Sequence, residues 1–249
     1  MGRNLSFVVT ISADAEWHSV LRMFPNEKLD HTPYGEWFYH VYEPSFGLPD
    51  PVIFMQGGWG KVAAAGSIQY ALSNWHPALI INIGTCGGFK GEITRGDVIL
   101  VENTVIYDII EQMGDPDEHI QHYTTKIDNT WISTPYPLTV IKSLLVSGDR
   151  DLIISEIPLL KEKYGAIAGD WESGAIAWVC KKNHTPCLIL RGVTDLVGEE
   201  GGDAYNGQVD YYYHNTQLVM EKLIGSLPFW LRNAVEYYQR MPPKIANGQ

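Results

Sequence analysis

The sequence predicts an α/β fold with three layers, α/β/α, around a central mixed twisted sheet. Short apolar segments alternate with segments of helical spacing along the chain. Several apolar segments contain no polar residue, as expected of strands that helices cover on both faces. Nearly every apolar segment runs into a turn rich in glycine or polar residues. The 249 residues fit one large domain, and we expect a single domain over 1–249.

Periodicity and breakers place the individual elements. The predicted strands are 7–11, 51–55, 79–83, 96–101, 144–146, 165–168 and 187–190. The predicted helices are 14–24, 61–75, 174–183 and 214–231, the second ended by Pro77. The segment 102–137 is irregular and rich in Asp, His, Tyr and Thr, which is typical of a long functional loop.

Composition excludes several classes of function. The net charge is −11, and no run of Lys or Arg exceeds two residues, which argues against a nucleic acid partner. No stretch approaches the roughly 20 apolar residues of a membrane span, and the N-terminus lacks a signal peptide pattern. Cys86, Cys180 and Cys187 have no metal-binding spacing. We therefore expect a cytoplasmic protein with free thiols, no membrane partner and no metal.

The turns after the strands carry most of the polar candidates. They read "SADAE", "QGGWG", "GTCGG", "SGDRD", "GDWES" and "RGVTD". Because the carboxyl ends of strands line the ligand crevice of open α/β sheets, these turns predict one small-molecule site.

Two glycine-rich patterns test whether the site holds a nucleotide cofactor. "GGWGKVA" matches the dinucleotide fingerprint, but the next strand ends at "INIGT" without the acid that would bind a ribose. Lys61 does not belong to a phosphate-binding loop, since Val62 stands where Ser or Thr is required. We expect no cofactor.

Taken together, the turns are far more specific. The segments "ISADAE", "GGWGKVAAA", "IINIGTCGGF", "GDVILV", "VSGD", "DWESGAIA" and "LRGVTDLV" occur in the order and spacing of a known family. Over most of residues 6–225 the chain resembles the purine nucleoside phosphorylase/nucleosidase superfamily, particularly the 5′-methylthioadenosine/S-adenosylhomocysteine nucleosidases. The resemblance implies a purine nucleoside substrate and the fold of that superfamily.

The resemblance also bears on whether phosphate takes part. Phosphorylases of the superfamily carry one arginine two residues before the glycine of "IGT" and another after the first strand. This chain has Asn82 at the first place and "SADAEWH" at the second. A dianion without cationic or bidentate partners would be costly to bind. The sequence therefore favours a hydrolase whose "GTCGG" segment holds water and ribose hydroxyls.

The resemblance implies a catalytic set. Glu16 matches the carboxylate that activates water, and Asp195 matches the acid that protonates the leaving purine, for which burial must raise its pKa. Glu172 matches the acceptor of the ribose hydroxyls. Arg191 and Thr85 match the pair that positions the water. Without the resemblance, these residues have structural interpretations. Glu16 would be an acidic residue in the first turn of a helix, and Asp195 would be a helix N-cap. Arg191 would be the ion-pair partner of Glu16.

Further binding residues include departures from the family. Thr194 is expected to orient Asp195, and Gly87 to line the site. Trp171 stands where the nucleosidases usually carry Met under the ribose. Asp151 stands where a Phe commonly stacks on adenine, so Leu152 is expected to contact the base through its backbone.

The 5′ pocket and the assembly complete the prediction. Trp59 and Tyr205 match 5′ pocket positions often filled by Ile and Phe. Bulky aromatic side chains there favour a methylthio group over a homocysteine tail. The family's 5′ pocket borrows residues from a second subunit, so we expect a homodimer. The segment 102–137 is the expected lender, with Ile106, Tyr107 and Met113 as candidates.

The sequence thus favours a purine nucleosidase that releases free base and thiosugar. Two alternatives remain open from the sequence. The first is a phosphate-dependent purine nucleoside phosphorylase, and the second is a non-catalytic nucleoside-binding protein of the same fold.

Overall fold

A mixed β-sheet occupies the centre of the molecule. The computed structural model describes residues 5–48, 51–198, 201–204 and 209–240. The strands of these ranges are β1 Phe7–Ile11, β2 Asp30–Thr32, β3 Gly35–His40, β4 Val52–Gln56, β5 Leu79–Phe89, β6 Val98–Ile106, β7 Thr124–Lys126, β8 Ile141–Ser147, β9 Ala168–Asp170, β10 Cys187–Gly198 and β11 Gly201–Gly202. The α-helices are α1 Asp14–Met23, α2 Gly60–Trp75, α3 Pro116–His122, α4 Ile157–Tyr164, α5 Ser173–Lys182 and α6 Val209–Arg240.

Part of the sheet closes on itself. The strand order of the whole sheet is β11-β10-β6-β8-β9-β5-β1-β4-β3-β2. In addition, β7 pairs with β6, and β10 pairs with β5. The pairs β1–β4, β1–β5, β5–β10, β6–β8 and β8–β9 are parallel, and the remaining pairs are antiparallel. Strands β5, β10, β6, β8 and β9 therefore form a closed ring, which β1 and β4 extend as an open sheet.

Helices cover both faces of this sheet. On β1, Phe7 and Val9 pack into the core beneath α1 and α6, whereas Val8 packs into the core beneath α2 and α5. Trp17 of α1 and Trp230 of α6 are fully buried in the first core. Since successive side chains of a strand point to opposite faces, burial of both sets requires two helical layers. The predicted α/β/α architecture is confirmed.

The glycine-rich segment after residue 83 is not the loop that the sequence predicted. Strand β5 continues through it to Phe89. The glycines instead make room for neighbouring side chains. A Cβ on Gly88 would lie 2.6 Å from Ile93 and 2.8 Å from Val193. Strand β10 likewise runs past residue 190 to Gly198, so Arg191 and Asp195 lie on a strand.

The segment 102–137 is more ordered than predicted, because β6 extends to Ile106 and α3 and β7 follow it. Ile106 and Tyr107 are buried within their own chain, which corrects their selection as residues lent to a partner. Met113 is 97% exposed and remains available as a residue lent to a partner subunit.

The sequence reading missed the hairpin β2–β3 and helix α4. Among the described residues, no helix is both long and apolar enough to span a bilayer.

Candidate active site

A cavity of about 490 Å³ opens at the carboxyl ends of β1, β5, β8, β9 and β10. The predicted residues that line it are Glu16, Trp59, Thr85, Gly87, Leu152, Trp171, Glu172, Thr194 and Asp195. Arg191 is absent from the lining and lies behind it, 1% exposed. Tyr205 lies outside the described residues. The tertiary structure thus brings together residues from six separate segments of the chain.

Glu16 is held by backbone and side-chain donors. It lies in the first turn of α1 and is 4% exposed. Its Oε1 accepts hydrogen bonds from the Thr85 backbone N–H at 2.6 Å and from Thr85 Oγ1 at 2.8 Å. Its Oε2 accepts one from the backbone N–H of Ala13 at 3.2 Å. Two segments distant in sequence, α1 and β5, therefore fix one carboxylate at the cavity wall.

Arg191 forms its ion pair with Asp170 and not with Glu16. Its Nε donates to Asp170 Oδ2 at 2.7 Å, and its Nη2 donates to Asn82 Oδ1 at 2.6 Å. Its Nη1 has no hydrogen-bond partner among the described residues. Burial opposes the charge of Arg191, but Asp170, Glu16 and Glu172 outweigh it and raise the pKa of Arg191. The sequence offered an ion pair between Arg191 and Glu16 as an alternative role. That alternative is wrong, because the ion-pair partner of Arg191 is Asp170.

Glu172 lies at the start of α5, beside the start of α2. Its Oε1 accepts a hydrogen bond from the backbone N–H of Gly60 at 3.0 Å. Burial, and next the negative charge of Asp170, raise the pKa of Glu172 to about 8. Glu172 consequently binds a proton far more readily than a solvent-exposed glutamate does.

An irregularity in β10 aims Asp195 at the cavity. The pairing register with β5 shifts between Val193 and Asp195, as at a β-bulge. Thr194 Oγ1 donates to Asp195 Oδ1 at 2.7 Å. Burial raises the pKa of Asp195 against that hydrogen bond, so its neutral form is favoured relative to an exposed aspartate.

One end of the cavity combines glycine and leucine with Asp195. Gly87 pairs with Asp195 across the β5–β10 ladder. A Cβ on Gly87 would lie 3.3 Å from Leu152 Cδ1 and 3.5 Å from Asp195 Oδ2. The position is therefore narrow, apolar on one side and acidic on the other.

Aromatic side chains line the cavity with much of their surface free. Trp59 is 62% exposed, Trp171 is 37% exposed and Tyr213 is 50% exposed. Trp59 precedes Gly60, whose N–H bonds Glu172, and Trp171 is the chain neighbour of Glu172. Both tryptophans consequently stand near Glu172, with apolar surface that a ligand can cover.

The cavity lining is strongly acidic. Its charged residues are Asp14, Glu16, Asp151, Asp170, Glu172, Asp195 and Arg150. The guanidinium of Arg150 already pairs with Glu156 at 2.7 Å. No group of described His, Cys, Asp or Glu side chains has the arrangement of a metal site. A neutral or cationic ligand suits this lining better than an anion does.

The sequence reading missed several side chains of this region, among them Asp170, Arg150 and Tyr212. Asp170 and Arg150 stand in the quoted segments "GDWES" and "SGDRD", but without an assigned role. Tyr212 lies in "DYYYHN", ahead of the predicted helix, and no spacing rule singled it out. All three line the cavity. Only their position at strand and helix ends could have indicated them.

The fold and the cavity define an α/β protein with a small-molecule site at the carboxyl ends of its strands. A sequence model of the phosphorylase superfamily matches residues 9–140, slightly more than half of the chain. The chain belongs to the phosphorylase superfamily.

Curated relatives that are less than 30% identical to this chain are named as nucleosidases. The chain is 29% identical over 201 residues to a 5′-methylthioadenosine/S-adenosylhomocysteine nucleosidase of Buchnera aphidicola subsp. Acyrthosiphon pisum (strain APS), covering 75% of this chain and 86% of the relative. It is 26% identical over 190 residues to the nucleosidase of that name from Marinomonas sp., covering 70% and 80%.

Solved structures share the fold. The 5′-methylthioadenosine/S-adenosylhomocysteine nucleosidase of Campylobacter jejuni superposes with a TM-score of 0.71 at 16% identity, covering 90% of this chain and 99% of that one. The futalosine hydrolase of Helicobacter pylori superposes with a TM-score of 0.73 at 15% identity, covering 90% and 97%. At such identities the likeness extends to the fold alone.

Proposed function

We propose that this protein hydrolyses the N-glycosidic bond of 5′-methylthioadenosine or a closely related purine nucleoside. The observation that carries the proposal is the convergence of Glu16, Glu172 and Asp195 on one cavity, each in different surroundings. Glycoside hydrolysis needs a carboxylate that activates water and a carboxylic acid that protonates the leaving group. The curated relatives named as nucleosidases support the same reaction.

Glu16 is the proposed general base. Thr85 occupies its Oε1 with two hydrogen bonds, whereas Oε2 receives only the longer bond from Ala13. Since a carboxylate oxygen offers two lone pairs, Oε2 can accept the proton of an attacking water. Arg191 lies behind the wall, where its positive charge attracts the carboxylates of Asp170, Glu16 and Glu172.

Asp195 is the proposed general acid. Burial favours its protonated form, and a protonated carboxyl can donate to the five-membered ring of the purine. Thr194 fixes its orientation. Gly87 and Leu152 form the narrow slot beside it in which the flat base lies.

Glu172 is the proposed acceptor for the ribose hydroxyls. The N–H of Gly60 holds one of its oxygens. Trp171 and Trp59 contribute apolar surface for the sugar and its 5′ substituent, and Tyr205 is proposed at the same substituent. A homodimer would complete this end, with Met113 as the residue lent by each subunit.

The phosphorylase alternative is disfavoured by charge. Asn82, at the place of one phosphate-binding arginine, donates to the Thr10 carbonyl and accepts from Arg191. Even without Glu172 and Asp195, whose pKa values are raised, and Asp170, which pairs with Arg191, the remaining acidic residues Asp14, Glu16 and Asp151 outnumber the single Arg150. Phosphate would enter this cavity against strong repulsion.

One incubation tests the proposal. Purified protein is mixed with 5′-methylthioadenosine and other purine nucleosides, with and without inorganic phosphate, and the products are separated. Free base and a sugar with an anomeric hydroxyl in phosphate-free buffer support the proposal. A sugar 1-phosphate as main product supports the phosphorylase, and nucleoside binding without base release supports the binding protein.

The single nucleosidase domain over 1–249, the cytoplasmic location and the homodimer are further parts of the proposal. Mass measurement in solution at micromolar concentration tests the dimer, and a fully active monomer would contradict it.

A further inference from the structure

Helix α2 begins beside the cavity without a cap from its own N-cap residue. That residue is Trp59, whose side chain makes no capping hydrogen bond. An indole offers a donor but no acceptor, whereas the residues that cap helices well carry a side-chain oxygen. The first N–H groups of a helix still need partners from outside the helix. At the start of α2 these partners come from distant segments of the chain.

Two carboxylates accept the first two N–H groups of α2. The N–H of Gly60 donates to Glu172 Oε1 at 3.0 Å, and the N–H of Lys61 donates to Asp149 Oδ1 at 2.7 Å. Glu172 is the proposed acceptor of the ribose hydroxyls, whereas Asp149 follows β8 and does not line the cavity. Because Gly60 and Lys61 are adjacent, the bond to Asp149 restrains the direction in which Gly60 presents its N–H.

A third carboxylate holds Asp149 in place. Asp108 Oδ2 accepts the backbone N–H of Asp149 at 2.8 Å, and Lys61 Nζ forms an ion pair with Asp108. Lys61 Nζ also lies 3.6 Å from Asp149 Oδ2. The side chains of Lys61 and Asp108 are 14% and 15% exposed. A closed ring of contacts therefore joins the start of α2 to the segments that follow β6 and β8.

Gly60 is the point where Asp149 comes closest to the backbone of α2. Its φ is +75°, a conformation that L side chains rarely adopt. A Cβ at this position would lie 2.8 Å from Asp149 Oδ1. Glycine thus allows the carboxylate of Asp149 to approach one side of the residue whose N–H bonds Glu172.

We propose that Asp149 is a positioning residue for recognition of the ribose hydroxyls. It holds the first turn of α2 so that the Gly60 N–H stays on Glu172 Oε1, which leaves the other oxygen of Glu172 for the sugar. Asp149 acts through the helix and does not itself touch the substrate. This role rests on the proposed hydrolysis, and it concerns a residue of the segment "VSGD" that had no assigned role.

Two substrates separate this role from a general loss of structure. The 2′,3′-dideoxy analogue of 5′-methylthioadenosine lacks both hydroxyls that Glu172 would accept. The readout is kcat/KM for 5′-methylthioadenosine divided by kcat/KM for the analogue. Comparing this ratio between variants cancels the intrinsic difference in reactivity of the two compounds. A displaced Glu172 lowers the ratio, whereas a loosened fold lowers both values alike and leaves the ratio unchanged.

Asp149→Ala should lower the ratio about fivefold to tenfold, the size of one lost hydrogen bond. Asp149→Asn keeps an oxygen that can accept the Lys61 N–H, so its ratio should stay within about twofold of the wild type. The matched control is Asp115→Ala. Asp115 Oδ1 likewise accepts an N–H at the start of a helix, that of Asp117 in α3 at 2.9 Å, and it does not line the cavity. This control should leave the ratio unchanged.

A double variant tests whether Asp149 acts through Glu172. Glu172→Gln presents one acceptor oxygen instead of two and should itself lower the ratio. In that background, Asp149→Ala should lower the ratio by less than about a further twofold, because the two changes affect one interaction. Ratios that fall independently in the double variant would overturn the positioning role.

A further variant guards against misfolding. The side chain of Asp149 is 40% exposed, so water can solvate the groups that its removal leaves. Asp149→Glu keeps the charge beside Lys61 but moves the acceptor oxygens by one CH₂, so it should lower the ratio about twofold to fivefold. Thermal unfolding of each variant verifies that it is folded.

The outcomes distinguish this role from the proposed function. A wild-type ratio in both Asp149→Ala and Asp149→Glu, or an equal fall in Asp149→Ala and Asp149→Asn, overturns the positioning role and leaves the proposed hydrolysis intact. An unchanged ratio in Glu172→Gln overturns the assignment of Glu172 to the ribose, and the positioning role with it. A wild type that releases no base from any nucleoside overturns the proposed function.

Discussion

Arg191 and Asp170 form a buried ion pair, with Nε and Oδ2 at 2.7 Å and side chains 1% and 2% exposed. Asp170 also accepts hydrogen bonds from Ser147 Oγ at 2.6 Å and from the N–H and hydroxyl of Ser173. The pair thus joins β10 to the ends of β8 and β9 and to the start of α5. It forms a rigid base from which Glu172 and Trp171 project into the cavity.

Asp170→Asn should strongly destabilise the fold. The substitution leaves the guanidinium of Arg191 buried without its counter-ion, which costs about 3–5 kcal/mol in comparable pairs. Urea unfolding measures the change in the free energy of unfolding. Glu92→Gln is the control, because Glu92 pairs with Lys161 on the surface, where such a pair is worth about 0–1 kcal/mol. Equal effects of the two substitutions would contradict the structural role of the pair.

Gly84→Ala should reduce activity. An added Cβ would lie 2.6 Å from Arg191 Nη1 and 2.8 Å from Glu16 Oε1, so the proposed base must move. A small misplacement of a reacting group can cost roughly 10²-fold in rate. The control is Gly225→Ala on α6, which has open space around it and should be neutral or stabilising by about 0.5–1 kcal/mol. Wild-type kcat in Gly84→Ala would show that Glu16 need not occupy its observed position.

Glu16→Gln and Asp195→Asn should each lower kcat far more than they weaken binding. Both groups are proposed to move a proton in the transition state, and such groups contribute roughly 10²–10⁴-fold. Asp14→Asn is the matched control on the same helical turn, since Asp14 accepts a hydrogen bond from Gln56 and has no proposed role. Steady-state kinetics decide the outcome. A loss below about tenfold in kcat means that the role is misassigned.

The variant Glu172→Gln should gain stability relative to the wild type as the pH rises. Burial raises the pKa of Glu172 from 4.5 to about 8, so the folded protein binds this proton more tightly than the unfolded chain does. The stability that this group contributes is therefore lost between about pH 5 and 8, and glutamine, which does not ionise, is spared that loss. Thermal unfolding at pH 5 and pH 8.5 should show the variant gaining at least about 2 °C on the wild type. Glu118→Gln, on exposed α3, should show no such trend, and a constant difference for Glu172→Gln would refute the raised pKa.

5′-Methylthioadenosine should be preferred over S-adenosylhomocysteine. Its methylthio group gains about 0.8 kcal/mol for each CH₂-sized unit that the aromatic wall covers. The homocysteine carboxylate would meet the acidic side chains of Asp14, Glu16 and Asp151, and the guanidinium of Arg150 already pairs with Glu156. Unpaired charge costs several kcal/mol. The measurement is kcat/KM for both compounds under the same conditions, and Trp59→Ala should reduce the preference. Equal values in the wild type would contradict this account of the pocket.

The sequence by itself determined the layers of the fold and most residues of the candidate site. Apolar segments such as the one that forms β1 predict buried strands whatever the rest of the fold is. The pattern of apolar residues along the segment is enough to indicate that side chains on both faces are buried. Glu16, Glu172 and Asp195 follow such segments, so they could be expected at one edge of the sheet.

Only the tertiary structure decided which groups meet. The segment after residue 83 is a strand because its glycines accommodate side chains from distant segments, such as Val193 and Leu196 against Gly88. Arg191 pairs with Asp170 because β9 and β10 close the ring of strands around it, an arrangement that no spacing within the sequence encodes. Tyr212 lines the same cavity as Thr85 because α6 packs against β5 and β10 from more than a hundred positions away. Local pattern determines which face of an element is buried, whereas the partners of a buried polar group depend on how the elements pack.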